Sequence, residues 1–253
     1  MSEHKDDLSG KTAMVVGASR GLGRGITTAL AQAGASVVAV SRTATTFPEP
    51  ANEAGTIQAE VADAGDPTVA ASLLDRYEPD AVILVAGASP HMRPLQHQTW
   101  ETFSVNWDTD VRIAFHWLRE ALLKPLRPGG RVVVFSSGAG LNPNGSPLSG
   151  GYAGAKATQR LIAGYAQDEA KRAGLDITFT ALMPYFGPGT GVGRLAVEAY
   201  AARAGLSVEE FLETQQPVVT PESAGTALVE LVQADTATVA PGYRLSGAGL
   251  LEL

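Results

Sequence analysis

GASRGLG, residues Gly17 to Gly23, follows directly on the apolar run TAMVV at 12–16 and admits two incompatible readings. Its first five residues spell G-x-S-x-G, the elbow that presents a hydrolase's serine nucleophile. All seven spell G-x-x-x-G-x-G, a turn able to cradle phosphate. The elbow needs an acid and then a histidine downstream, and an oxyanion-hole loop ahead of it. The four histidines, His4, His91, His97 and His116, all lie in the first half of the chain. The turn also follows the first strand, so no such loop precedes it. The phosphate reading meets no obstacle of this kind. Glycine permits a positive-φ exit from the strand and a close backbone approach to an anion. A helix opening near Gly21 adds unpaired N–H groups and the positive end of its dipole. The nearby SGKT at 9–12 is not a P-loop, because Lys5 stands where that motif requires glycine.

Working outward, further buried-strand patterns occur at 36–40, 81–86, 131–135 and 177–182, with 238–245 as a last candidate. Their β-branched content without alternation suits strands covered on both faces. Helical patterns occupy 21–33, 67–76, 98–124, 152–173 and 221–233. Such alternation predicts an α/β fold, a doubly wound parallel sheet between two helical layers, with ligands at the C-terminal strand ends. The stretch 183–220 opens Gly/Pro-rich and continues as two short helix-like pieces. It reads equally as a substrate lid over about 187–216 or as a surface excursion that extends the core.

With 253 residues the chain can form one substantial core, and a single domain over 1–253 is expected. The net charge of -7 argues against nucleic acid or an anionic membrane as main partner. There is no cysteine, which removes thiolate nucleophiles, disulfides and cysteine-ligated metals together. MSEHKDDLSG at the start lacks an apolar core for a signal peptide, and no run approaches a membrane span. These features together point to a cytoplasmic protein. His91 and His97 sit in a loop without an acid at ligand spacing, so no metal is expected.

The end of the second strand selects between dinucleotides. An acid there would hold the ribose 2′-hydroxyl of NAD, whereas an arginine favours the 2′-phosphate of NADP. The chain has Ser41-Arg42-Thr43 at that place, with Arg20 in the glycine turn as a second cation. NADP(H) is therefore expected over NAD(H), held by Gly17, Ser19, Arg20, Gly21, Leu22, Gly23, Ser41 and Arg42.

Taken together, the glycine turn, the sheet pattern and Tyr152-Ala-Gly-Ala-Lys156 resemble the short-chain dehydrogenase/reductase family across nearly the whole chain. The resemblance implies a Rossmann fold and interconversion of a small-molecule carbonyl and its alcohol by hydride transfer. It assigns proton exchange to Tyr152, with Lys156 tuning it and binding the nicotinamide ribose. A neighbouring ammonium lowers the cost of tyrosinate, whose free pKa is near 10. In FSSGAG the family's serine maps to Ser137, with Ser136 as the alternative, and its hydroxyl holds the substrate oxygen. Asn106 matches the family's helical asparagine, which holds a water that relays protons from the lysine.

Departures accompany these matches. Leu84-Val85-Ala86-Gly87 replaces the family's N-N-A-G, and Ala86 and Gly87 still suit a backbone passing the adenosine ribose. Glu60-Val61 stands where Asp-Val is commoner beside adenine. Pro184-Tyr185 replaces Pro-Gly, leaving Gly187 and Thr190 as carboxamide contacts and Tyr185 and Phe186 as alternatives for the substrate pocket. With Ala139, Leu141 and the lid, these suggest a moderately apolar substrate. The family also implies a homodimer or homotetramer through the long helices at 98–124 and 152–173. A catalytically silent dinucleotide sensor or scaffold of the same fold is the alternative function, and it typically lacks the tyrosine or lysine. A sugar-nucleotide epimerase of the extended branch would need a larger C-terminal substrate domain.

Overall fold

The computed structural model describes residues 8–49, 55–142 and 145–253. The leader reading at the N-terminus and part of the loop before Tyr152 fall on residues outside these. Strands β1 (Thr12–Val16), β2 (Ser36–Ser41), β3 (Thr56–Val61), β4 (Ala81–Leu84), β5 (Gly130–Phe135), β6 (Ile177–Pro184), β7 (Gly242–Ser246) and β8 (Gly249–Glu252) form one sheet. Its order is β3-β2-β1-β4-β5-β6-β7-β8, parallel except for the last pair. The chain thus winds outward from β1 in both directions, the doubly wound arrangement expected from the sequence.

The helices are α1 (Gly21–Gln32), α2 (Pro67–Tyr77), α3 (Trp100–Asn106), α4 (Arg112–Leu123), α5 (Gly150–Arg172), α6 (Gly191–Ala204), α7 (Val208–Glu213) and α8 (Pro221–Gln233). Strand side chains alternate between faces, so Met14 and Val16 enter one core and Ala13 and Val15 the other. The first core packs α2, α4 and α5 around Trp117 and Phe179. The second packs α1 and α8 through Ile26, Leu30 and Leu228. Each buried Ile, Leu or Met contributes about 1.5–3 kcal/mol of transfer free energy. Among the described residues, no helix is long and apolar enough to cross a membrane.

Two strands escaped the sequence reading. β3 is an edge strand with an exposed, polar-rich pattern, TIQAEV, so it presents no apolar run. β8 is four residues long and returns antiparallel along β7. The helix expected over 98–124 is also not continuous: a π-helical turn at Trp107–Val111 separates α3 from α4. There the buried Gln159 side chain of α5 donates to the Asp110 carbonyl at 3.0 Å, a side-chain insertion of the kind that diverts a helical ladder.

Register fixes where a ligand can sit. Val16 lies beside both Val40 and Leu84, so β1, β2 and β4 end side by side at the point where strand order reverses. β5 and β6 extend that edge, with Phe135 beside Leu182.

Candidate active site

A cleft of about 770 Å³ opens along this C-terminal edge, within the size range of small-molecule sites. One half is made by the glycine turn. Gly17 has φ +99°, and a Cβ there would lie 2.5 Å from the Ala86 backbone nitrogen. Gly21 also has positive φ, +55°, at the first residue of α1. That helix has no side-chain cap and no acid in its first turn. Its leading N–H groups and dipole therefore face the cleft unopposed, the arrangement that suits a phosphate. A nicotinamide dinucleotide fits this cradle: a close backbone approach, an open helix start, and two arginines beside it.

Gly17, Ser19, Arg20, Gly21, Leu22 and Gly23 all line the cleft, as do Ser41, Arg42, Ala86 and Gly87. Arg20 and Arg42 are exposed, and neither enters an ion pair among the described residues. Arg24 is committed elsewhere, donating to Thr46 O at 3.0 Å and stacking 4.9 Å over Phe47. This fastens the segment that follows Arg42.

Glu60 and Val61 are corrected by the geometry. Glu60 turns to Tyr77 and Arg76 of α2, and Val61 is 59% exposed; neither lines the cleft. Asp63 and Ala64, just beyond β3, line it instead. The signal lay in Asp66-Pro67: Asp66 caps α2 by accepting from Thr68 N, with proline at the first helical position. Anchoring on that cap moves the strand-end acid three residues along.

The other half is built on α5. Tyr152 and Lys156, one turn apart, both line the cleft, with Lys156 Nζ 5.6 Å from the Tyr152 ring centre. Ser137 is half-buried, and its Oγ accepts from Ala139 N at 3.2 Å. Ser136 is buried and its hydroxyl donates to Lys156 O at 2.7 Å, so its proton is already engaged. Pro184, Gly187 and Thr190 line the cleft beside Tyr185 and Phe186. Thr190 caps α6 by accepting from Gly193 N at 2.9 Å.

Asn106 and Lys156 share a neighbour in Asp110. The Asn106 amide donates to Ala88 O at 2.8 Å and lies 3.4 Å from both Asp110 carboxylate oxygens. The lysine's neighbour is Asp110, with 3.0 Å between Nζ and Oδ2 in a pair almost wholly buried. The other ammonium donors reach Phe135 O at 3.1 Å and Gln159 Oε1 at 2.9 Å. All three protons of Lys156 thus have acceptors. Burial alone would lower the Lys156 pKa, but the Asp110 carboxylate overrides it and holds the ammonium above the ordinary lysine value of 10.5. Asp110 was missed because a mid-helix aspartate is usually solvated. Its spacing gave a signal: it precedes Ile113, Ala114 and Trp117 by three, four and seven residues, placing it on the buried stripe.

A second missed group joins α6 to the site. Tyr200 OH lies 2.9 Å from Ser146 Oγ and 3.0 Å from Ser149 Oγ, and the serines are 2.8 Å apart. Phe211 of α7 packs edge-on against Phe186 at 5.5 Å. The stretch read equally as a lid or a surface excursion therefore forms α6 and α7 and touches the cleft through both helices.

The chain matches the short chain dehydrogenase family model over residues 11–201. It is 33% identical over 193 residues to a hydroxynaphthalene reductase-like protein of Metarhizium majus, covering 70% of this chain and 68% of that protein. It is 31% identical over 161 residues to versicolorin reductase of Emericella nidulans, covering 59% of each. A short chain dehydrogenase from Mycobacterium avium superposes with a TM-score of 0.71 at 21% identity, covering 96% of this chain and 84% of that one. The chain belongs to the short-chain dehydrogenase/reductase family and is an NAD(P)-dependent oxidoreductase.

Proposed function

We propose that this protein is an NADP(H)-dependent reductase that interconverts a ketone or aldehyde with its alcohol, Tyr152 acting as general acid or base. The observation that carries this reading is that Tyr152, Lys156 and Ser137 open onto the same cleft as the glycine turn. When bound, the nicotinamide supplies hydride in reduction and takes it up in oxidation. The protein supplies the proton and the charge. Tyr152 gives its phenolic proton to the carbonyl oxygen in reduction and recovers it in oxidation. Ser137 holds that oxygen by a hydrogen bond that strengthens as negative charge develops.

Arg20 and Arg42 support NADP(H) over NAD(H). They flank the ends of β1 and β2, where a 2′-phosphate would meet two guanidinium groups. Ser41, the last residue of β2, supplies a hydroxyl there and no acid. Gly187 and Thr190 are assigned to the carboxamide. Met92, Leu141, Tyr185, Phe186 and Phe211 give the cleft an apolar and aromatic portion. With a relative named for hydroxynaphthalene, a fused aromatic ring system, this favours an aromatic ketone as substrate. We assign α6 and α7 as the lid over that region.

A homo-oligomer through α3, α4 and α5 completes the reading. Trp100 is 73% and Tyr165 67% exposed on these helices, alongside Phe115 and Leu161. Leu161 and Tyr165 stand one turn apart on α5, and such exposed apolar neighbours suit a covered surface. The function is tested by following NADPH oxidation over a panel of aromatic ketones, aldehydes and quinones, with NADH in parallel. At least one aromatic ketone should be reduced faster with NADPH. No oxidation across the panel, or equal rates with NADH, would overturn the assignment.

A further inference from the structure

We propose that Asp110 is a positioning residue of this centre: its carboxylate holds Lys156 in a buried ion pair and so sets the pH at which Tyr152 exchanges its proton. The proposal deepens the reading of Tyr152 as acid and base and rests on it. It adds Asp110 to the groups that the resemblance assigns around the lysine.

The geometry assigns each atom of the carboxylate. Oδ2 lies 3.0 Å from Lys156 Nζ. Oδ1 accepts from Ala88 N at 2.8 Å, and Asn106 donates to Ala88 O on the same peptide segment. The main-chain carbonyl of Asp110 accepts from Gln159, whose other amide atom accepts from Lys156. Asp110 is therefore gripped at three points, and the π-helical turn aims it at the lysine. Gly87 is part of the fit: a Cβ there would stand 2.7 Å from Asp110 Oδ2.

Charge decides what this arrangement does. An isolated ammonium beside a phenol favours tyrosinate. Paired with a carboxylate, the same ammonium presents a dipole, whose field at the ring is weaker and depends on orientation. The surroundings add little to offset this. On the elements packed against α5, Glu101, Asp108, Arg112 and Arg119 are exposed, and the half-buried Glu120 is paired with Arg119. Asp108 accepts from Ser104, and His116 faces Asp66. Arg131 stands at the opposite end of β5 against Ala234. β6 and the 3-10 turn Gly138–Leu141 carry no charged side chain. The charged and titratable groups acting on Lys156 are Asp110 and Tyr152.

The test reads Tyr152 directly, by near-ultraviolet tyrosinate absorbance against pH, with Tyr152→Phe as the subtraction in each background. Asp110→Asn should move that titration to lower pH by about one unit or more. Lys156→Met should move it to higher pH, and the double variant should return it toward the parent. An unchanged or upward shift in Asp110→Asn overturns the proposal. Should Asp110→Asn not fold, Lys156→Met is compared with the double variant, which replaces the buried pair with two neutral groups. Removal of the carboxylate must again lower the titration, and no difference between those two proteins overturns the proposal. Failure of the acid/base reading is separately visible: Tyr152→Phe would then turn over substrate while the titration shifts remain.

Discussion

The two halves of the cleft are built in opposite ways. Around the glycine turn the protein removes side chains, so that backbone N–H groups and two surface arginines confront a ligand directly. Around α5 it buries charge, with Lys156, Asp110 and Gln159 closing on one another beneath Tyr152. The first half fails by steric insertion and is adjusted from the surface. The second fails by leaving a charge unpaired in the interior, and adjusting it alters chemistry and stability together.

The largest expected effect breaks the second half. Asp110→Ala leaves the Lys156 ammonium buried without its counter-ion and should cost about 3–5 kcal/mol of stability. Denaturant unfolding of the two proteins measures it. Because Lys156 sits above the ordinary lysine value when folded, the pair's contribution is complete below that value and is lost only as pH rises through the raised one. In Asp110→Ala burial is no longer opposed by the carboxylate and lowers the lysine's pKa, so the stability gap between parent and variant should be widest at neutral pH and narrow as alkaline pH removes the unpaired charge. Gly17→Ala breaks the first half instead. Its methyl meets the Ala86 backbone at positive φ, for about 2–4 kcal/mol when overpacking and the left-handed backbone are combined. Cofactor affinity should fall with it, read by nicotinamide fluorescence.

Smaller effects sharpen the contrast. Arg42→Asp places a carboxylate where the 2′-phosphate is assigned and should shift the NADPH-to-NADH ratio of kcat/KM by about 10–100-fold toward NADH, equivalent to about 1.4–2.8 kcal/mol. Unchanged selectivity would remove Arg42 from the phosphate site. Tyr200→Phe withdraws a hydroxyl from the Ser146–Ser149 cluster. About 1 kcal/mol is expected, seen as a raised KM with kcat nearly preserved if α6 is the lid.

This contrast also explains what the sequence disclosed. The glycine turn was legible because its spacing reports directly on a backbone that must turn and approach. The parallel core strands were legible because burial on both faces leaves continuous apolar runs. β3 was not, since an edge strand can be polar, and the site register slipped with it from Asp63 to Glu60. Tyr152 and Lys156 were legible as one turn of helix. The spacing of Asp110 to Ile113, Ala114 and Trp117 marks it as buried, but not its pairing with Lys156, a contact between segments distant in sequence. Asn106, the residue a pattern would choose, holds the peptide segment that Asp110 also grips.

The most direct test of the central claim is a paired measurement on Tyr152→Phe, recording NADPH binding by fluorescence and turnover of a ketone reduced by the parent enzyme. The account predicts parental cofactor affinity with turnover reduced by about 10²–10⁴-fold. Parental turnover in Tyr152→Phe would contradict it.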